Sequence, residues 1–358
     1  MARIFGSPHR YIQGPDALEA LPALTNGLGA RAVLITDPPV WNLMRPRIEA
    51  AYGTNAAPPV VLADAEITYQ TIADATTQAE VHRPTVVLGA GGGKALDIAK
   101  GVANSLHIPI ITLPTIASTD APTSKVYVVY NAQHELVGVE HMDRNPAAVV
   151  VDTRLIIKAP VRFLLAGIGD AIAKKFEAEA SLNAGALNLH GTPPLQIAAH
   201  LADACYRILR DNAEEAVAAV SHGEVTPAFE NTVEAGILLA GLAFENSGLS
   251  FAHAMTRGLS AASATGRTLH GEQVAYALLV QLILERRPAE FLEDLLVFYR
   301  RIGLPDGLRA LAGVSVPSDE INLMASRTME APHTQKMPYR VTHAAIVDAM
   351  LRLERSAP

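Results

Sequence analysis

Cysteine is almost absent from this 358-residue chain, and the single one, Cys205, excludes an internal disulfide and any multi-cysteine zinc or iron–sulfur centre. A bound metal must therefore draw on His, Asp or Glu. A lone cysteine also fits a reducing compartment, and the cytoplasm is the expected location. Positive charge is in short supply, with 29 Lys and Arg against 36 Asp and Glu and a net charge of -7. Without a basic stripe to neutralise phosphates, no nucleic-acid partner is expected, and small molecules are the better match. No uninterrupted apolar run of about 18 residues occurs, so no membrane span is expected. The first residues, "MARIFGSPHRYIQG", have polar groups and an early proline where a signal peptide needs an unbroken apolar segment.

What is present divides into two patterns. Up to about residue 150, short apolar and β-branched runs recur: "AVLIT" (32–36), "VVLA" (60–63), "TVVLG" (85–89), "IPIITL" (108–113), "VYVVY" (126–130) and "AVVVD" (148–152). Most are separated by enough chain for a helix, which predicts a doubly wound parallel sheet covered on both faces. Beyond residue 160, stretches such as "RFLLAGIGDAIAKKFEAEASL" and "EQVAYALLVQLILERR" repeat apolar residues every three or four positions, the pattern of helices. The expectation is an α/β nucleotide-binding domain over 1–158 followed by an all-helical domain over 159–358, with the seam near "KAP".

"VVLGAGGGKALDIAK" runs from a strand through glycines into a helix. Gly91, Gly92 and Gly93 would let the backbone approach a pyrophosphate, which the helix start attracts, with Lys94 and Asp97 beside it. A tight strand-to-helix turn is the plainer alternative. The loop is not a Walker A motif, since no Ser or Thr follows Lys94. Asp37, ending "AVLITD", is placed to accept ribose hydroxyls and repel a 2′-phosphate, which favours NAD over NADP; it could equally cap a turn. The loop "PTIASTDAPTSK" offers Thr115, Ser118, Thr119, Asp120, Thr123 and Ser124 as short hydrogen-bonding groups.

Three residues of the second half suit a divalent metal. "GIGDAIAKKFEAEA" puts Asp170 near the predicted start of a helix, "SFAHAMTRG" carries His253, and "LHGEQVAYALLVQ" places His270 just before another helix. One carboxylate and two imidazoles make a three-ligand site with a position left open. A buried histidine satisfied by one hydrogen bond is the competing reading of His253.

Together, "GGGKALDIAK", "PTIASTDAPTS", "DTRLIIKAPVRFLLAGIGDAIA", "GLSFAHA" and "LHGEQVAY" occur in an order that resembles the iron-containing alcohol dehydrogenase superfamily, in its glycerol dehydrogenase-like branch. The resemblance runs from "SPHRYIQGP" to about residue 285. It implies NAD(H) and one divalent metal as cofactors, zinc first and iron or another ion as alternatives, and a homo-oligomer. Asp170, His253 and His270 would hold the metal. Asp37, the segment 92–97, Thr115, Ser118, Ser124, Val126 and Tyr130 would line NAD, and Asp120 would meet a substrate hydroxyl.

The chain also departs from that branch. Where glycerol dehydrogenases continue Ala-His-Ala-X-His-Asn-Gly, this sequence has "AHAMTRG", with Thr256 and Arg257 in place of the second histidine and the asparagine. Lys174, one helical turn after Asp170, and Lys125 are further cations at unusual positions. Structural roles are open to each, but jointly they would give a local positive field. The leading expectation is therefore a metal-dependent NAD(H) dehydrogenase of a small polar alcohol, glycerol or diol-like. The alternatives are a reductase of a small carboxylate, phosphate or phosphonate aldehyde or ketone and, more remotely, a dehydroquinate synthase-like lyase.

Overall fold

Successive residues of a strand point to opposite faces, and here both faces are apolar. Val33, Ile35 and Val87 pack on one side of a sheet with Ile72 and Ile98, whereas Ala32, Leu34, Val86 and Leu88 pack on the other with Met44 and Ile48. The computed structural model describes residues 2–53, 56–63, 65–131 and 136–356. Its strands are β1 (Tyr11–Gly14), β2 (Ala32–Thr36), β3 (Val60–Leu62), β4 (Val86–Gly91), β5 (Ile110–Pro114), β6 (Val126–Tyr130), β7 (Leu136–His141) and β8 (Ala148–Asp152). Six of them form a parallel sheet in the order β1-β8-β5-β4-β2-β3. The chain moves outward from β2 to β3 and then returns to β4 on the other side of β2. The carboxyl ends of β2 and β4 thus flank the switch point where ligands collect in such sheets.

Strands β1, β6 and β7 differ from the sequence expectation, which has no run at β1 or β7. "VYVVY" is a strand, but it pairs antiparallel with β7 in a separate two-stranded ribbon, Val126 opposite His141. The connection from β5 contains no helix, and a parallel crossover generally needs one. β1 adds an edge to the sheet beside β8, and its four residues "YIQG" are too short and mixed in polarity to signal a strand.

The chain forms two compact units: Ser7–Pro160 with His222–Val225, and Met1–Gly6 with Val161–Ser221 and Thr226–Pro358. The first contains the sheet. The second is helical, and its centre is the His270–Leu284 helix, nearly all of it buried. That helix packs on the Val161–Ile172, Phe251–Ala261 and His343–Ser356 helices. Among the described residues, no single helix is long and apolar enough to cross a membrane.

The crossing of the Val161–Ile172 and His270–Leu284 helices depends on missing side chains. A Cβ at Gly271 would lie 1.7 Å from the Ala166 carbonyl oxygen, and one at Gly169 would lie 2.4 Å from the Gly271 oxygen. Because both contacts are with backbone, no side-chain rotation can relieve them, so any larger residue forces the helices apart. Asp170 and His270 are the immediate neighbours of these glycines, and the close crossing brings them together. Gly271→Ala is expected to lower the unfolding free energy by about 1–3 kcal/mol, the usual range for overpacking, in a denaturant titration. An unchanged midpoint and slope would show that the crossing does not need glycine there.

Candidate metal centre and nucleotide loop

In the sheet unit, β4 ends at Gly91, whose φ of +140° suits glycine, and a Cβ there would meet the Ala95 Cβ at 2.7 Å. Gly92 caps the Gly93–Ser105 helix. Register places Gly91 opposite Pro114 of β5, and the Thr115 N–H donates to the Gly91 carbonyl at 3.1 Å. Ile116 and Thr119 lie over Gly92 and Gly93, so the polar loop and the glycine turn form one surface. Asp37 caps the Pro38–Tyr52 helix by accepting the Val40 N–H at 2.8 Å through Oδ1. Its Oδ2 lies 3.9 Å from the point a Gly91 Cβ would occupy, which leaves that oxygen beside the turn.

The remaining residues expected at the cofactor separate by burial. Thr115, Asp120, Ser124 and Val126 are buried, while Ser118 and Tyr130 are half-buried. Burial raises the Tyr130 phenol above its usual range. Lys94 is exposed and lies 3.7 Å from Glu66. Asp97 turns into the core, where its Oδ2 accepts the Val128 N–H of β6 at 3.1 Å. Burial pushes its carboxyl up, against the pull of Lys100. Lys125 is half-buried, and its carbonyl accepts the Met142 N–H.

Lys100 has a role that the sequence reading missed. Its fully buried ammonium donates to the carbonyls of Ala121 and Val126, each at 2.6 Å, and lies 3.7 Å from Asp97 Oδ1. It thereby pins the segment between the polar loop and β6. The signal was a lysine three residues after Asp97 on an otherwise apolar helix face.

In the helical unit, ligand-type atoms of Asp170, His253 and His270 all lie within 4.8 Å of one another. Asp170 is in the last turn of the Val161–Ile172 helix, not near a helix start as expected, because the apolar repeat that makes this helix begins upstream at residue 161. His270 is the first residue of its helix and is exposed. His253 lies in the Phe251–Ala261 helix, its ring centroid 5.4 Å from that of His270. His253 Nε2 faces Asp170 Oδ1 at 3.2 Å.

The other side of His253 is set by Glu177, a buried residue the sequence reading did not single out. His253 Nδ1 and Glu177 Oε2 are 2.5 Å apart, while Glu177 Oε1 accepts the backbone N–H groups of Ser250 and His253, each at 3.0 Å. Gln281 Oε1 takes the Ala252 N–H at 2.9 Å. Side chains of two other helices therefore accept the N–H groups of Ser250, Ala252 and His253 at the start of the His253 helix. Asp170, Lys174 and Glu177 follow an i, i+4, i+7 spacing, which was the available clue.

Burial opposes the charged ring of His253, yet the Glu177 carboxylate raises it to about 9. Burial likewise opposes ionisation of Glu177, which His253 holds down at about 2. Asp170 is buried as well, and the Lys174 ammonium and His253 hold its carboxyl well below the usual range. Lys174 is itself buried, with Nζ 2.7 Å from Asp170 Oδ1 and 3.1 Å from His253 Nε2. The "HTQKMP" stretch folds back here as a short turn, Pro332–Lys336, packed on the His253 helix. Burial, Lys336 and His253 push His333 down to about 4.

Thr256 and Arg257 do not share that environment. The Thr256 hydroxyl donates to the His253 carbonyl at 2.8 Å, a local bond within the helix. Arg257 is 55% exposed, and its guanidinium reaches Glu330 at 3.5 Å, whereas Lys174 is 2% exposed and bonded to Asp170. Each of these two cations faces a carboxylate of its own.

A profile of the family described as iron-containing alcohol dehydrogenase matches residues 8–153. A glycerol dehydrogenase of Escherichia coli O6:H1 is 36% identical over 354 residues, covering 98% of this chain and 96% of that protein. A glycolaldehyde reductase of Halobacterium salinarum is 33% identical, covering 98% of this chain and 97% of its own. The crystal structure of a probable glycerol dehydrogenase from Sinorhizobium meliloti 1021 superposes with a TM-score of 0.92 at 35% identity, over 99% of this chain and all of that one. The chain belongs to the iron-containing alcohol dehydrogenase family, among relatives that are glycerol dehydrogenases, and it is an oxidoreductase acting on CH–OH groups.

Proposed function

We propose that the protein is an NAD(H)- and metal-dependent dehydrogenase that interconverts a small polyol, glycerol or diol-like, with its ketone or aldehyde. The observation that carries this reading is the triad of Asp170, His253 and His270 with its buried partner Glu177. The donor set fits a divalent cation. It offers one carboxylate and two imidazoles within reach of one another, and the far nitrogen of His253 is tied to a carboxylate that fixes ring and tautomer. Nitrogen and oxygen donors without thiolate suit zinc, with iron as the alternative.

When bound, the cation supplies Lewis acidity toward a substrate oxygen and the nicotinamide supplies a hydride acceptor. The chain's own residues bind and orient. Gly91, Gly92 and Gly93 make the turn into the start of the Gly93–Ser105 helix that would face a pyrophosphate at the switch point, and Asp37 Oδ2 offers an acceptor for ribose hydroxyls that repels a 2′-phosphate. Thr115, Ser118, Ser124, Val126 and Tyr130 line the dinucleotide in this proposal, and Asp120 meets a substrate hydroxyl. Asp97 and Lys100 act one layer back, holding β6 and the polar loop in place. The names of the relatives support a small hydroxylated substrate, glycerol in one and glycolaldehyde in the other. The single cysteine, buried with its thiol against the Ala235 carbonyl, supports a reducing cytoplasmic setting. A homo-oligomer, implied by the resemblance, completes the proposal.

Purified protein is expected to form NADH from NAD and glycerol or a related diol, to lose that activity on dialysis against a chelator, and to regain it with zinc. Chelator-insensitive turnover, or phosphate release with no net change in NADH, would overturn the reading. Glu177→Gln removes the charge that orients His253 and is expected to weaken zinc binding about 10- to 100-fold in a competition titration, the usual effect of losing such a partner. Wild-type affinity in that variant would remove Glu177 from the account.

A further inference from the structure

The side chain nearest the ligand atoms is itself a cation. Lys174 Nζ lies 2.7 Å from Asp170 Oδ1 and 3.1 Å from His253 Nε2. Those two atoms are 3.2 Å apart. A zinc ion sits about 2.1 Å from each such donor, and every point that satisfies both distances lies within about 4 Å of this ammonium. On the same side of the donor pair the two cations would overlap. On the opposite side they would repel across the largely buried Asp170 and His253 side chains, where water screens little.

We propose that Lys174 is a tethered ammonium that occupies the metal's donors and must withdraw as the metal enters, so that it sets how tightly the metal is held. This rests on the reading of Asp170, His253 and His270 as the metal site. Without metal, the ammonium neutralises the buried Asp170 carboxylate, which would otherwise be a costly unpaired charge. Its retreat is short. The Phe244 ring, 5.6 Å from Nζ, presents a face for a cation, and Glu177 follows three residues later. The contact is intrinsic to the chain's geometry, since Lys174 opens the helix that follows Asp170 and reaches back across the junction.

The test measures zinc affinity of chelator-stripped protein by competition with a chromogenic chelator, for wild type, Lys174→Met and His270→Ala. Methionine keeps the length and removes the charge. Lys174→Met is expected to bind zinc at least about tenfold more tightly than wild type, a change of about 1.4 kcal/mol, and to melt at a lower temperature when metal-free. Lys174→Gln, which keeps a polar tip beside Asp170, is expected to shift affinity in the same direction and serves if the methionine variant fails to fold. Equal or weaker affinity in the lysine variants, with His270→Ala clearly weakened, would overturn the role of Lys174 while leaving the metal site standing. Wild-type affinity in His270→Ala would instead overturn the metal site, and this inference with it.

Discussion

Much of the helical unit depends on one buried carboxylate. Glu177 closes the start of the His253 helix through two backbone N–H groups and fixes the His253 ring through Nδ1. Burying a carboxylate is unfavourable unless its oxygens are satisfied. Here three donors converge on it, and the imidazole is raised to about 9 by the same pairing. One side chain therefore orders the start of a helix and aims His253 Nε2 toward Asp170. Gly169 and Gly271 provide the complementary condition, letting the helices that carry Asp170 and His270 cross at backbone contact.

The sheet unit uses a similar device with opposite sign. Lys100 is fully buried and spends its ammonium on two carbonyls that bracket the segment between the polar loop and β6. A buried cation on backbone oxygens is sensitive to position, so the loop beside the glycine turn is held by geometry as well as by its own prolines. In both units a charged side chain one layer behind the expected ligands defines the shape of the site. Lys174 differs, because it stands among the expected ligands themselves.

The parts that were legible in the sequence were those with local periodicity or local composition. Apolar β-branched runs located β2, β4, β5 and β8 because strands buried on both faces need no polar alternation. The glycine turn was visible because its conformation selects glycine. The pairing of β6 with β7 was not, since pairing partners are not encoded in one strand's composition. β1 was too short to register. The ordered motifs point to Asp170, His253 and His270, but they place Asp170 near a helix start, whereas it lies in the last turn of its helix. Glu177 and Lys100 stand at helical spacings from Asp170 and Asp97, and such spacing marks a shared face without showing that a charge on it is buried. His333 and Lys336 reach the His253 helix only in the folded chain, through the Pro332–Lys336 turn, and no local pattern marks that contact.

The claim that the rest depends on is that Asp170, His253 and His270 hold one divalent cation. Diffraction from zinc-loaded crystals at the zinc absorption edge tests it directly. The account predicts one strong anomalous peak about 2.0–2.2 Å from an Asp170 carboxylate oxygen and from a ring nitrogen of each histidine. A peak ligated by other residues, with these three side chains left uncoordinated, would contradict it.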